Sequence, residues 1–210
     1  DAGAGAGAAA LCLAARVPEI TVTALEFQPF FADLARKNAA ANEMSERIRV
    51  IDGDILDPPV DIKPGSYHHV MANPPHLDPA RSRPPPDPAR AAATHEGVAG
   101  LAEWVDFCCR MAAADGTVTI IHRAEREEEI LAAFSESTGP AAITVFPLLP
   151  GEGKAPKRII AHARKGLSAP IRRSCGMVLH DATGGYTARA QAVLVEAGGL
   201  ARLALTPDAI

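Results

Sequence analysis

Glycine occupies every second position of the opening residues, Gly3, Gly5 and Gly7, and the chain then runs straight into an alanine- and leucine-rich stretch over 6–16. Nothing else in the sequence narrows the fold as much. Glycines without a Cβ let the backbone turn tightly and let a ligand approach it, and a helix that follows aims its free N–H groups at that ligand. Such a loop is launched by a buried strand, which in a doubly wound sheet lies at the centre. No residue precedes Asp1 here. The pattern therefore implies that the first strand is missing from this chain and that the natural polypeptide extends upstream.

Beyond the glycines, strand-like and helix-like segments alternate. Residues 21–25 are short and β-branched and lead to Glu26. Pro29 sits where a first-turn helix proline belongs, and 30–42 continue as a helix with Leu34 on its apolar side. Strands are expected at 48–51 and 67–72 and a helix at 98–113. A strand at 117–121 follows an Asp115-Gly116 turn, and a helix spans 125–134 with an acidic, solvated face. Residues 142–147 and 157–163 read as a closing antiparallel hairpin. Residues 79–90 hold five prolines and three arginines, Arg81, Arg83 and Arg90, and form a surface loop. The alternation predicts an α/β fold with a mostly parallel, doubly wound sheet covered on both faces. It divides into a domain over 1–165 and a C-terminal extension over 166–210 packed on it.

Composition limits the partners. At 210 residues, 48% hydrophobic and 22% charged, the chain can bury one core. No apolar run approaches the ~18 residues of a membrane span. The four cysteines lack CxxC spacing, which argues against a zinc ribbon and a disulfide scaffold and for a reduced, cytoplasmic protein. Cys108 and Cys109 read as small core residues. His68 and His69 alternate on a strand, one facing in and one out, and no metal site is expected there. The net charge of −4 is uneven: residues 1–150 carry 12 basic and 21 acidic side chains, net −9, and 151–210 carry 9 and 4, net +5. A basic end of this kind suits a polyanion or is simply a solvated tail.

Glu26, at the end of its strand, is placed to accept from ribose hydroxyls. Together with the glycine loop it points to an adenosine-type cofactor without choosing one, because Gly3, Gly5 and Ala8 also satisfy the G-x-G-x-x-A of nicotinamide enzymes. The run Asn73-Pro74-Pro75-His76 narrows the choice. It lies at the carboxyl end of the 67–72 strand, the edge where α/β sheets hold ligands. The lone pair of an exocyclic or amide nitrogen is delocalised and poorly nucleophilic. Two acceptors, the Asn73 side-chain oxygen and the Pro74 carbonyl, can take both of its N–H bonds and turn the lone pair toward an electrophilic methyl. Proline fixes φ and so holds that carbonyl in place. A planar side chain at position 76 then stacks on an extruded base. The alternative is a plain Asn-Pro turn. A dehydrogenase would leave Asn-Pro-Pro-His without a role.

The order of residues 1–7, Glu26, Gly53-Asp54 and 73–76 resembles motifs I to IV of class I S-adenosylmethionine-dependent amino-methyltransferases, whose fold is Rossmann-like. Phe27-Gln28-Pro29, Val70-Met71-Ala72, Ile121-His122-Arg123, Lys157-Arg158, Val178-Leu179-His180-Asp181 and Tyr186-Thr187 extend the likeness over essentially the whole chain. They resemble the bacterial tRNA (adenine-N6) methyltransferases of the valine-tRNA type, in the "methyltransferase small" family. The resemblance implies S-adenosylmethionine as cofactor, with Asp1, Gly3, Gly5 and Gly7 at its methionine end, Glu26 at its ribose and Asp54 at its adenine. Phe27, Ile55 and Asn73 complete that site. It also implies Asn73, Pro74, Pro75 and His76 as catalytic residues. Separately, Arg81, Arg83 and Arg90 with Arg164, Lys165, Arg172 and Arg173 could grip phosphates or be plain surface side chains, and Arg81, Arg83, Arg123, Lys157 and Arg158 are the candidate contacts to an RNA substrate, with tRNA foremost. Position 76 departs from the family pattern, which has Tyr, Phe or Trp there. Release-factor glutamine and ribosomal-RNA guanine methyltransferases share the Asn-Pro-Pro motif, and an inactive cofactor-binding module is the reading from another class.

Overall fold

The computed structural model describes residues 1–75 and 99–200. In chain order these form α1 (Ala8–Arg16), β1 (Val22–Glu26), α2 (Pro29–Ala41), β2 (Ile48–Asp52), β3 (Tyr67–Ala72), α3 (Leu101–Met111), β4 (Ala112–Arg123) and α4 (Glu127–Thr138). The chain continues through β5 (Ala141–Leu149), β6 (Arg158–Lys165), the two-residue strands β7 (Arg172–Arg173) and β8 (Met177–Val178), and α5 (Ala188–Leu194). Strands β1 and β2 pair in parallel, as do β3 and β4. Strand β6 lies antiparallel between β4 and β5, with Leu148 opposite Arg158, so the closing hairpin is present.

Ala2 joins the two halves of the sheet. It bridges Leu25 on one side and Ala72 on the other, both in parallel sense, and donates its N–H to the Met71 carbonyl at 2.9 Å. Residues 1–3 thus stand in the central slot expected of the first strand, with β1 and β2 running out to one side and β3 and β4 to the other. That reversal of direction opens a crevice at the carboxyl edge.

Each face of the sheet is covered differently. Helices α3 and α4 bury Val105, Phe107, Met111, Ile130 and Phe134 against Val70, Val118, Ile120, Val145 and Ile159. Truncating a core phenylalanine such as Phe134 to alanine costs about 3–5 kcal/mol. Cys108 and Cys109 lie in this core as expected, and burial pushes both thiols up to about 12. On the other side, α1 packs Ala10 and Ala14 against Ala24, Ala39 and Ile48. The buried stripe of α2 is Ala32, Ala35 and Ala39 rather than Leu34, because Gly7 approaches Ala35 closely: a Cβ on Gly7 would come within 3.2 Å of the Ala35 Cβ. A Leu at that crossing would hold the helices apart.

Three local expectations change. Strand β4 begins at Ala112 and contains Asp115-Gly116. Tyr67 pairs with Ala112 and His69 with Thr117, so 113–116 bulge out opposite His68 and the Asp-Gly turn chemistry is used inside a strand. His68 and His69 are both exposed at this irregularity, and His69 Nδ1 lies 2.7 Å from Thr117 Oγ1. The acidic run is only partly solvated: Arg126 forks onto Glu129 at 2.6 Å, and Arg173 donates to Glu127 at 2.7 Å. Past β6, β7 and β8 add to β5 in parallel, and Phe146, Met177 and Ala190 form a small separate cluster under α5.

Candidate active site

The crevice at the switch point is a cleft of about 440 Å³, within the range of roughly 300–1,000 Å³ usual for small-molecule sites. Gly3 and Gly5 form one wall. Both have left-handed φ, 67° and 55°, that a side chain would strain. Leu25, one residue before the end of β1, accepts from the N–H groups of Gly3 and Ala4 at 2.9 and 3.0 Å and ties the loop to the sheet. Nothing lies within 4 Å of where a Gly5 Cβ would be, so the space above the loop is free for a ligand.

Glu26 governs this wall. It is 6% exposed, and its two carboxylate oxygens are divided between two backbone donors: Oε2 accepts from Gly5 N–H at 2.8 Å and Oε1 from Gln28 N–H at 2.9 Å. A carboxylate has about four acceptor positions, so each oxygen keeps one for a hydroxyl. A buried charge held this way and open to the cleft fits a vicinal diol such as a ribose. Asp54 lines the same cleft, with Oδ1 taken by Leu56 N–H at 3.0 Å and its other oxygen outside that turn. Ile55 is buried in the floor, and Phe27, 65% exposed, offers a flat apolar ring at the rim. The donor set, the open space and the rim ring together fit a nucleoside cofactor.

Asn73 and Pro75 form the facing wall, at the end of β3. The Pro74 ring is fully buried behind them. The sequence-expected glycine loop, Glu26, Phe27, Asp54, Ile55 and Asn73 therefore meet in one cavity. Asp1 and Gly7 do not line it. The Asp1 carbonyl accepts from Leu25 N–H within the sheet, and Gly7 packs on α2, so both support the loop from behind. Arg123 and Arg158 are direct partners across β4 and β6 at the same carboxyl edge, beside the exposed Lys157. Arg123 also pairs with Glu125 at 3.0 Å. His76, Arg81 and Arg83, with Arg90, lie outside the described residues.

Two further residues of this region were not among the expected site residues. Trp104, in the first turn of α3, closes the cleft: its Cη2 would stand 2.7 Å from a Cβ on Gly3, so that glycine makes room for an indole. His122, on β4, is 2% exposed with Nε2 3.4 Å from the Pro75 carbonyl. Both come from distant elements; His122 stands in the Ile121-His122-Arg123 run of the resemblance, but nothing in the sequence ties it to Pro75. Among the described residues no group of three or more His, Cys, Asp or Glu could hold a metal, and no helix is long and apolar enough to cross a membrane.

Comparison with known proteins agrees with this geometry. Residues 1–83 match the family described as the methyltransferase small domain. The chain is 32% identical over 192 residues to the tRNA1(Val) (adenine(37)-N6)-methyltransferase of Porphyromonas gingivalis, spanning 89% of this chain and 74% of that protein. It is 30% identical to the enzyme of the same name from Aeromonas hydrophila, over 90% of this chain and 77% of that one. A release factor glutamine methyltransferase from Chlorobaculum tepidum is 38% identical, but over 37% of this chain and 26% of its own. In structure, a predicted O-methyltransferase from Agrobacterium tumefaciens superposes with a TM-score of 0.71 at 21% identity, covering 92% of this chain and 86% of that one. At that identity it speaks for the fold alone, which is the Rossmann-like class I methyltransferase fold. The chain is an S-adenosylmethionine-dependent methyltransferase, and with a third of its residues shared over nine-tenths of its length it belongs to the tRNA1(Val) (adenine(37)-N6)-methyltransferase family.

Proposed function

We propose that the enzyme methylates the exocyclic N6 amine of an adenine in tRNA. One observation carries the reaction class: Asn73 and Pro75 open into the same cleft as Gly3, Gly5 and Glu26, so a cofactor seated on the glycine wall faces the Asn-Pro-Pro wall. Bound S-adenosylmethionine supplies an electrophilic methyl. Glu26 would hold its ribose hydroxyls and Asp54 its adenine amine. The Asn73 side-chain oxygen and the Pro74 carbonyl accept the two N–H bonds of the target nitrogen, which withdraws its lone pair from the ring and aims it into the cleft. Rigid prolines keep these acceptors in place. Catalysis is then positioning, without a covalent enzyme intermediate.

The names of these relatives support tRNA as substrate. So does the placement of Arg123, Lys157 and Arg158 at the carboxyl edge, where phosphates of an entering strand would pass. Such a substrate puts the enzyme in the cytoplasm. The glutamine methyltransferase likeness covers 78 residues, so it speaks for the shared chemistry and not for a peptide substrate. The experiment is to offer labelled S-adenosylmethionine with unfractionated bacterial tRNA, ribosomal RNA and release factor in separate reactions, then digest the products. Label in N6-methyladenosine from tRNA is expected. Label in protein glutamine or in ribosomal guanine would overturn the substrate.

A further inference from the structure

Among the described residues two polar or charged side chains are counted as buried, Glu26 and His122, and both stand at the carboxyl edge of the sheet beside the cleft. Glu26 holds the backbone of the glycine wall through Gly5 and Gln28. His122 stands in the same relation to the other wall. It shares a face of β4 with Val118 and Ile120, in a core where an apolar residue would pack without any desolvation penalty. A buried imidazole at that point therefore calls for a partner, and its Nε2 lies 3.4 Å from the Pro75 carbonyl. A carbonyl only accepts, so this contact requires the tautomer with its hydrogen on Nε2.

The need for such a contact follows from the motif itself. Strands β3 and β4 pair in parallel up to Ala72 opposite Ile120. The residues that follow β3 include Pro74 and Pro75, which have no N–H and cannot extend the ladder as donors. The segment that must hold a target amine thus leaves the sheet where regular pairing stops. His122 lies two positions past Ile120, level with that departure, and reaches back to it from the neighbouring strand.

We infer that His122 is a positioning residue for methyl transfer, whose Nε2–H secures the Pro75 carbonyl and so sets the acceptors of Asn73 and Pro74 at the angle the target amine needs. The inference rests on residues 73–75 being the clamp for that amine. His122 does not line the cleft, so its loss is expected to act on the chemical step and to leave cofactor binding alone. Misplacement by about 1 Å can cost on the order of 10²-fold in rate.

The test compares full-length wild type, His122→Leu and His122→Gln, whose amide nitrogen reaches the place of Nε2. Cofactor affinity is measured by calorimetry, kcat and KM with tRNA, and unfolding by melting. In His122→Leu, kcat is expected to fall about 10–100-fold with cofactor Kd unchanged within about threefold. His122→Gln is expected to recover about tenfold of that loss. Should His122→Leu fail to fold, His122→Asn, whose amide ends at the place of Nδ1, takes its part with the same expected loss. Wild-type kcat without the imidazole, or equal losses in Leu and Gln variants that track their melting temperatures, would overturn the inference while leaving the proposed function standing. Wild type that binds cofactor yet transfers nothing to tRNA would overturn that function, and this inference with it.

Discussion

The two walls of the cleft are held by opposite means. On the cofactor side the backbone is shaped by what is absent, glycines at left-handed φ, and is held by a buried carboxylate that accepts from the N–H groups of Gly5 and Gln28. The target side is shaped by what is added, since two proline rings stiffen a segment that a neighbouring imidazole then secures by its carbonyl. The first wall presents donors and buried negative charge, suited to a sugar and a charged cofactor. The second presents acceptors, suited to an amine. The sheet's switch point at Ala2 brings the two within one cavity.

If this division is real, substitutions on each side must fail differently. Glu26→Ala leaves the Gly5 and Gln28 N–H groups without their acceptor, each at a cost of about 1–3 kcal/mol. Cofactor affinity should drop by about 100-fold and the melting temperature by several degrees, read by calorimetry and thermal unfolding. Unaltered affinity would break the comparison at its strongest point. Gly3→Ala meets Trp104 at 2.7 Å and a positive φ together, and about tenfold weaker cofactor binding is expected from roughly 1–2 kcal/mol of strain. Trp104 is the only tryptophan in the chain, so its emission should change on cofactor binding in wild type and less in Gly3→Ala.

On the target side, Lys157→Gln with Arg158→Gln should weaken tRNA binding more at low salt than at high. Each lost phosphate contact lowers the slope of log K against log salt by about 1. A slope equal to that of wild type would remove these residues from the RNA path. The smallest effect is expected far from the cleft, at His162. Burial first, then the charges of His69 and Arg164, lower its pKa from 6.5. A base depressed in the folded state picks up its proton on unfolding. Stability is therefore full above pH 6.5 and falls as pH drops below it. His162→Gln should flatten that fall in denaturant titrations at about pH 5–7, and an unchanged profile would exclude His162 as its source.

How much of this was legible beforehand follows the same division. The strand-helix alternation, the closing hairpin and the glycine wall could be read because each is a local pattern: periodicity, a first-turn proline, a loop that opens a helix. Gly3, Gly5, Glu26 and Asn73 were legible for that reason, and Asp54 only through the family resemblance. Trp104 was not, and His122 was legible only within the Ile121-His122-Arg123 likeness and not as a neighbour of Pro75, since each reaches its partner from an element more than forty residues away and no local spacing encodes such a contact. Asp1 and Gly7 belong to the same glycine pattern as Gly3 and Gly5, yet only register and helix crossing decide which of the four face the cavity. The Asp115-Gly116 pair has strong turn chemistry, and it is spent on a bulge because β4 was already committed to pairing with β3 and β6.

Asn73→Ala tests the division most directly, with cofactor binding and methyl transfer to tRNA measured on the same preparation as wild type. Removing the acceptor should lower transfer by about 10²–10³-fold while cofactor affinity changes no more than about tenfold. Transfer at the wild-type rate from Asn73→Ala, with N6-methyladenosine still forming, would contradict the assignment of that wall to the target amine.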